Sequence, residues 1–134
     1  MEHLLVRSVL ITKSMKVLLV DDDAFLRDMY ATKFKEVGHT VATAGNGSLA
    51  LTMLKEDSFD VVLLDMVMPG MDGISFLTSA VASDGAKNTK FIVLSNQGEE
   101  SDKKRATEAG AIGYIVKAES VPSDVVAKVE TLCK

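Results

Sequence analysis

The sequence predicts an α/β domain built on a parallel sheet, and two observations carry that prediction. Five short, β-branched-rich apolar runs stand at 17–20, 40–44, 61–64, 91–94 and 112–116, and each is followed by a segment of helical length. Three of them, VLLV at 17–20, VVLL at 61–64 and FIVL at 91–94, are continuous rather than alternating, the pattern of strands covered on both faces. Strand alternating with helix in this way pairs the strands in parallel.

After the first run, Leu26, Tyr30, Phe34 and Val37 recur at helical spacing before Gly38, a C-terminal stop. After the second, Asn46 can cap a helix carrying Leu49, Ala50, Met53 and Leu54. Asp72 and Gly73 follow the third and introduce Ile74, Leu77 and Val81, with Asp72 read as a helix cap and Gly70 and Gly73 as serving backbone geometry. The helix after the fourth run, at 99–109, has only Ala106 and Ala109 as apolar residues. At about 25 cal/mol per Å² of apolar surface buried, two alanines anchor a helix weakly, so this element is expected to be the most easily displaced. Pro122 belongs in the first turn of the last helix, with Val125, Val126, Val129 and Leu132 on one face. Residues 1–14 do not fit the alternating plan and are read as an N-terminal extension to a domain at 15–134.

Composition narrows the function classes. Hydrophobic residues make up 47% and charged ones 25%, ordinary values for a folded domain. Lys plus Arg at 15 against Asp plus Glu at 19 gives a net charge of −4, which argues against direct nucleic-acid binding. A single cysteine, Cys133, excludes a disulfide scaffold, and no run is long enough to span a membrane or shaped like a signal peptide. A cytoplasmic location is the expectation.

The chemistry lies at the ends of the runs. The first ends in Asp21-Asp22-Asp23, the third in Asp65, the fourth in Ser95 and the fifth in Lys117. Open parallel sheets bind ligands outside the carboxyl ends of their strands. Two carboxylates about 4 Å apart repel by roughly 4 kcal/mol at an effective dielectric of about 20, which a proton or a hard cation relieves. Mg²⁺ suits a few carboxylate oxygens and a phosphate-bearing ligand, whereas His3 and His39 stand apart from the set, so zinc is not indicated. A carboxylate beside Mg²⁺, a lysine and a hydroxyl is equipped to attack phosphorus and form an aspartyl-phosphate. Asp65, leaving a central strand before the Pro69-Gly70 turn, is the best nucleophile; Asp21 and Asp22 are the metal ligands, Asp22 the more direct. Asp23 is read as a residue favoured at a helix N-terminus.

The runs KVLLVDDDAFLR at 16–27, DVVLLDMVMPGMDG at 60–73, FIVLS at 91–95 and GAIGYIVK at 110–117 resemble, in order, the receiver domain of two-component response regulators. The resemblance covers about 15–134. It implies a doubly wound, five-stranded parallel sheet of flavodoxin-like order 2-1-3-4-5 with helices on both faces. It implies that Asp65 is the phosphoacceptor, fed by a histidine kinase or histidine phosphotransfer protein, and that the domain catalyses only its own phosphorylation and dephosphorylation. Asp21 and Asp22 match the Mg²⁺-binding pair, Val67 the backbone carbonyl completing the metal site, Ser95 the hydroxyl, Lys117 the lysine and Tyr114 the switch aromatic. Phosphorylation in the family remodels the face built from the fourth strand and last two helices, which a downstream protein reads. A monomer, or a weak dimer on phosphorylation, is implied. With no output domain after Lys134, the match is to stand-alone receivers, although a receiver cut from a longer chain would read the same.

Three departures from the family pattern stand out. Ala118 replaces the proline that usually follows the lysine, so a trans bond and an altered loop are expected. Asn96 stands where a smaller residue is usual and is expected to narrow access to the phosphate. Val67 and Gln97 occupy the positions that tune phosphoryl hydrolysis; Val67 cannot orient water by hydrogen bonding, so slow self-dephosphorylation is expected. The rival readings are a magnesium-dependent phosphohydrolase of the haloacid dehalogenase kind and an unphosphorylated receiver-like binding module. Against the first, the acidic pair precedes the acceptor and no cap domain fits; against the second, the Asp/Asp/Asp/Ser/Lys set is complete.

Overall fold

The computed structural model describes residues 13–134; His3 and most of the expected 1–14 extension lie outside the described residues. Five parallel strands, β1 (Lys16–Val20), β2 (Thr40–Ala44), β3 (Val61–Leu64), β4 (Lys90–Ser95) and β5 (Gly113–Val116), form one sheet in the order β2-β1-β3-β4-β5. Five helices connect and follow them: α1 (Ala24–Val37), α2 (Gly47–Glu56), α3 (Gly73–Val81), α4 (Glu100–Ala109) and α5 (Pro122–Leu132).

The alternation of side chains along each strand divides the core into two layers. Val17, Leu19, Val61, Leu63, Ile92, Leu94 and Ile115 face Tyr30 and Phe34 of α1 and Val125, Val126 and Val129 of α5. Leu18, Val20, Val62, Leu64, Phe91 and Val93 face Ala50 and Leu54 of α2, Phe76 and Leu77 of α3 and Ala106 of α4. That two-sided cover explains the continuous apolar runs of the central strands, whereas β2, at the edge, is half-exposed.

Two helix starts carry the caps read from the sequence, and Asp23, read only as favoured at a helix N-terminus, proves to be a third cap. Asp23, Asn46 and Asp72 accept hydrogen bonds from the backbone N–H groups of Leu26, Leu49 and Ser75. Gly38 closes α1 at φ +107°, a left-handed conformation that suits glycine. The ends of the predicted apolar faces are less covered than their period implies: Val37, Val81 and Leu132 are exposed in the last turns of their helices, and Leu49 faces solvent in the first turn of α2. Strand β5 begins at Gly113 rather than at Ile112, which is exposed although its N–H still donates to the Phe91 carbonyl. Helix α4 buries one side chain, Ala106, with Ala109 partly covered, as its composition predicts.

A structural histidine stands where no sequence pattern marks one. His39 is 4% exposed, accepts the Met15 N–H on Nδ1 at 3.0 Å and meets Glu130 of α5 through Nε2 at 2.8 Å, tying the entry of β1 to the last helix. Among the described residues no peptide bond is cis, so Lys117–Ala118 is trans, and Lys117–Glu119 winds into one 3-10 turn before α5.

Candidate functional site

Register brings the candidate residues to one edge of the sheet. Val20 lies beside Leu64, so the next residues, Asp21 and Asp65, emerge side by side at the point where strand order reverses. Ser95 pairs with Val116, which places Lys117 one residue beyond. Asp21, Asp22, Asp65, Ser95 and Lys117 thus converge from four strand ends, and Val67 and Tyr114 stand around them.

Asp65 is held on both oxygens. Its Oδ1 accepts from the Ser95 hydroxyl at 2.8 Å and the Val67 N–H at 3.2 Å, and its Oδ2 accepts from Lys117 Nζ at 2.8 Å. Lys117 Nζ also donates to Asp21 Oδ2 at 2.7 Å, and Asp21 Oδ1 accepts from the Asp23 N–H at 2.9 Å. Lys117 is 9% exposed and Ser95 1%, so the two donors reach the carboxylates from within the fold. Burial alone would lower the Lys117 pKa; its hydrogen bonds to Asp21 and Asp65 outweigh that and hold it above the ordinary lysine value. Lys117 therefore stays a cation through the neutral range. Its contribution to stability is complete below the unfolded-state pKa and is lost only as pH rises through the higher folded-state value.

Asp21, Asp22 and Asp65 can each point one oxygen so that all three lie within 4.8 Å of one another. A hard cation with several carboxylate oxygens is the chemical match for that set. Asp21 already spends both oxygens on Lys117 and Asp23, whereas the exposed Asp22 has no hydrogen-bonded partner among the described residues. Asp22 is thus the most available ligand, and the residues present fit a divalent ion.

Tyr114 stands at the border of the notch, beside Ser95. It packs against the layer under α2–α4, and its hydroxyl donates to the Gln97 carbonyl in the loop between β4 and α4. Burial raises its pKa, so it remains a donor. Gln97 N–H in turn donates to Ser95 Oγ at 3.3 Å, which links the tyrosine to the notch through one loop residue. Asn96 and Gln97 are exposed, and Val67 turns its side chain to solvent at 56% exposure while only its backbone touches Asp65.

Gly73 owes its place to a close approach rather than to its own dihedrals. A Cβ there would lie 2.4 Å from the Asp65 carbonyl oxygen and 2.7 Å from Met66 Cα, and the Gly73 N–H donates to the Met66 carbonyl at 2.9 Å. Helix α3 therefore starts directly against the backbone that carries Asp65. Gly70, at φ +80°, makes the turn between them.

This geometry has known counterparts. A family model for the response regulator receiver domain matches residues 17–130. The chain belongs to that family. The receiver is 34% identical to chemotaxis protein CheY-3 of Vibrio cholerae over 109 residues, 81% of this chain and 84% of that one. It is 35% identical to the transcriptional regulatory protein ResD of Bacillus subtilis over 123 residues, 92% of this chain but only 50% of ResD. The chain spans 14% of another, longer relative, so some relatives carry substantial sequence beyond the receiver. The solved structure of Vibrio cholerae chemotaxis protein CheY4 superposes with a TM-score of 0.84 at 28% identity, covering 90% of this chain and 99% of that one. Receiver domains are phosphoacceptor signalling domains of two-component systems, and among the described residues no helix is long and apolar enough to cross a membrane.

Proposed function

We propose that the domain at 15–134 is a phosphoacceptor: Asp65 takes a phosphoryl group from the phosphohistidine of a histidine kinase or histidine phosphotransfer protein, with Mg²⁺ held by Asp21, Asp22, Asp65 and the Val67 carbonyl. The supporting observation is the double hold on Asp65, with Ser95 on one oxygen and Lys117 on the other, beside acidic side chains able to take a metal. An Asp65 carboxylate oxygen forms the new bond to phosphorus as the phosphorus–nitrogen bond breaks, and the leaving imidazole nitrogen keeps the electron pair. A bound Mg²⁺ neutralises charge on the phosphoryl oxygens. The Ser95 hydroxyl and the Lys117 ammonium then pass from the free carboxylate to phosphoryl oxygens, where their donors stabilise the developing charge.

The phosphoryl group adds about −1.5 to −2 charge and three acceptor oxygens. As Ser95 turns toward it, the bond from the Gln97 N–H changes, and Tyr114, bonded to the same residue's carbonyl, changes with it. The connected element is α4, held by little more than Ala106. A switch of the face made by β4, α4 and α5 follows, and a downstream protein reads it.

The test is incubation with acetyl phosphate and Mg²⁺ followed by intact mass. Wild type is expected to gain about 80 Da, one phosphoryl group, and Asp65→Ala nothing. Gain by both variants contradicts the acceptor assignment, and turnover of a phosphomonoester by many equivalents supports a phosphohydrolase instead. Val67 supplies a second expectation. With an apolar side chain in solvent beside the acceptor, no group at this position orients a hydrolytic water, so Val67→Asn is expected to speed phosphoryl loss by about tenfold, less than the roughly 100-fold or more of a fully positioned general acid or base. A decay followed by phosphate release that is lengthened by Val67→Asn contradicts this.

A further inference from the structure

We infer that Arg27 is a positioning residue for the metal site, acting through the backbone of the turn that carries Asp21 and Asp22. This rests on the Mg²⁺ reading above. Arg27 lies in α1, and its Nη1 donates to the Asp21 carbonyl at 2.8 Å in a part-buried setting. The guanidinium reaches that oxygen past the loop after β2. A Cβ at Gly45 would stand 3.3 Å from Nη1, so the bare glycine leaves the path open.

The Asp21 carbonyl and the Asp22 N–H belong to one planar peptide unit. Fixing the oxygen fixes that plane, and the plane sets the direction in which the Asp22 side chain departs. Asp21 is pinned otherwise through its N–H to the Ala44 carbonyl and through its side chain to Asp23 and Lys117. No comparable bond holds Asp22 among the described residues, and it is the ligand with the most freedom to lose. Arg27 therefore aims the free carboxylate at the space shared with Asp65 without touching a metal itself.

Charge and position make opposite demands, and the sign of one measurement separates them. A cation this near repels a divalent ion, so an arginine acting only through its charge weakens Mg²⁺ binding, and its removal strengthens it. An arginine acting as a strut does the reverse. Titration calorimetry with MgCl₂ on the full chain, with thermal melts in Mg²⁺-free buffer alongside, compares wild type, Arg27→Met and Arg27→Lys. Arg27→Met is expected to weaken Mg²⁺ binding about tenfold, the low end of the range for residues that orient metal ligands. Arg27→Lys keeps the charge but loses the planar fork, and is expected to weaken it by a smaller factor, about threefold. Should Arg27→Met not fold, Arg27→Lys alone decides. Mg²⁺ affinity equal to or tighter than wild type in the folded variants, even with a lowered melting temperature, overturns the positioning role and leaves the metal reading intact. Absence of Mg²⁺ binding by wild type overturns both.

Discussion

Lys117→Met is expected to lose both stability and phosphoryl acceptance. Lys117 is the buried cation between Asp21 and Asp65, bonded to each at 2.7 and 2.8 Å, and the methionine fills its stem volume without its charge. Removing one partner from a fully buried ion pair costs roughly 3–5 kcal/mol, and the partial solvent access of Asp65 reduces this to about 2–3 kcal/mol in Mg²⁺-free buffer. Chemical denaturation measures that loss. Millimolar Mg²⁺ is expected to return part of it, because a divalent ion held at the same carboxylates in the folded state would replace the missing counter-charge. The labelling rate with acetyl phosphate falls by about 100-fold or more, the usual effect of deleting one preorganised donor to developing charge. A variant as stable and as readily labelled as wild type contradicts the role given to Lys117.

Gly73→Ala is the second large effect, and it arises without any charge. The added Cβ meets only backbone, the Asp65 carbonyl oxygen at 2.4 Å and Met66 Cα at 2.7 Å, so no side chain can rotate away. Either α3 moves off the sheet or the β3 end carrying Asp65 is displaced. Overpacking of this kind costs about 1–3 kcal/mol. Because Asp65 must face Ser95, Lys117 and the metal ligands together, a displacement of about 1 Å is expected to slow labelling about 100-fold. Gly70→Ala provides the contrast. Nothing lies within 4 Å of a Cβ there, and the strain comes from its φ of +80° alone, so stability falls while labelling changes little. Equal labelling by Gly73→Ala and wild type, in a folded variant, contradicts the close-approach argument.

The sheet and the notch were legible in the sequence for the same physical reason. Strands buried on both faces are written as unbroken apolar runs, and in a parallel sheet all their carboxyl ends share one edge, so residues following the runs must meet there. Asp21, Asp65, Ser95 and Lys117 were found in that way, and the structure joins them by direct hydrogen bonds. Strand order came from the resemblance, since no local pattern fixes which strand lies beside which. Partners set by tertiary contact were not legible. Arg27 sits on an ordinary amphipathic helix, and its bond to the Asp21 carbonyl depends on the missing side chain of Gly45 in another loop. His39 precedes an edge strand with nothing nearby in sequence to mark its burial; its carboxylate partner, Glu130, is 91 positions away. The helix ends at Val37, Val81 and Leu132 fit the apolar period yet are exposed, because periodicity does not tell how much tertiary cover the last turn of a helix receives.

The measurement that bears most directly on the account is the location of the phosphoryl group. The receiver is labelled with acetyl phosphate and Mg²⁺, reduced with borohydride to trap the acyl phosphate, digested and mapped by peptide mass spectrometry. A single modified position is expected, Asp65, absent when Mg²⁺ is withheld. Modification at Asp21, Asp22 or a histidine with Asp65 unmodified contradicts it.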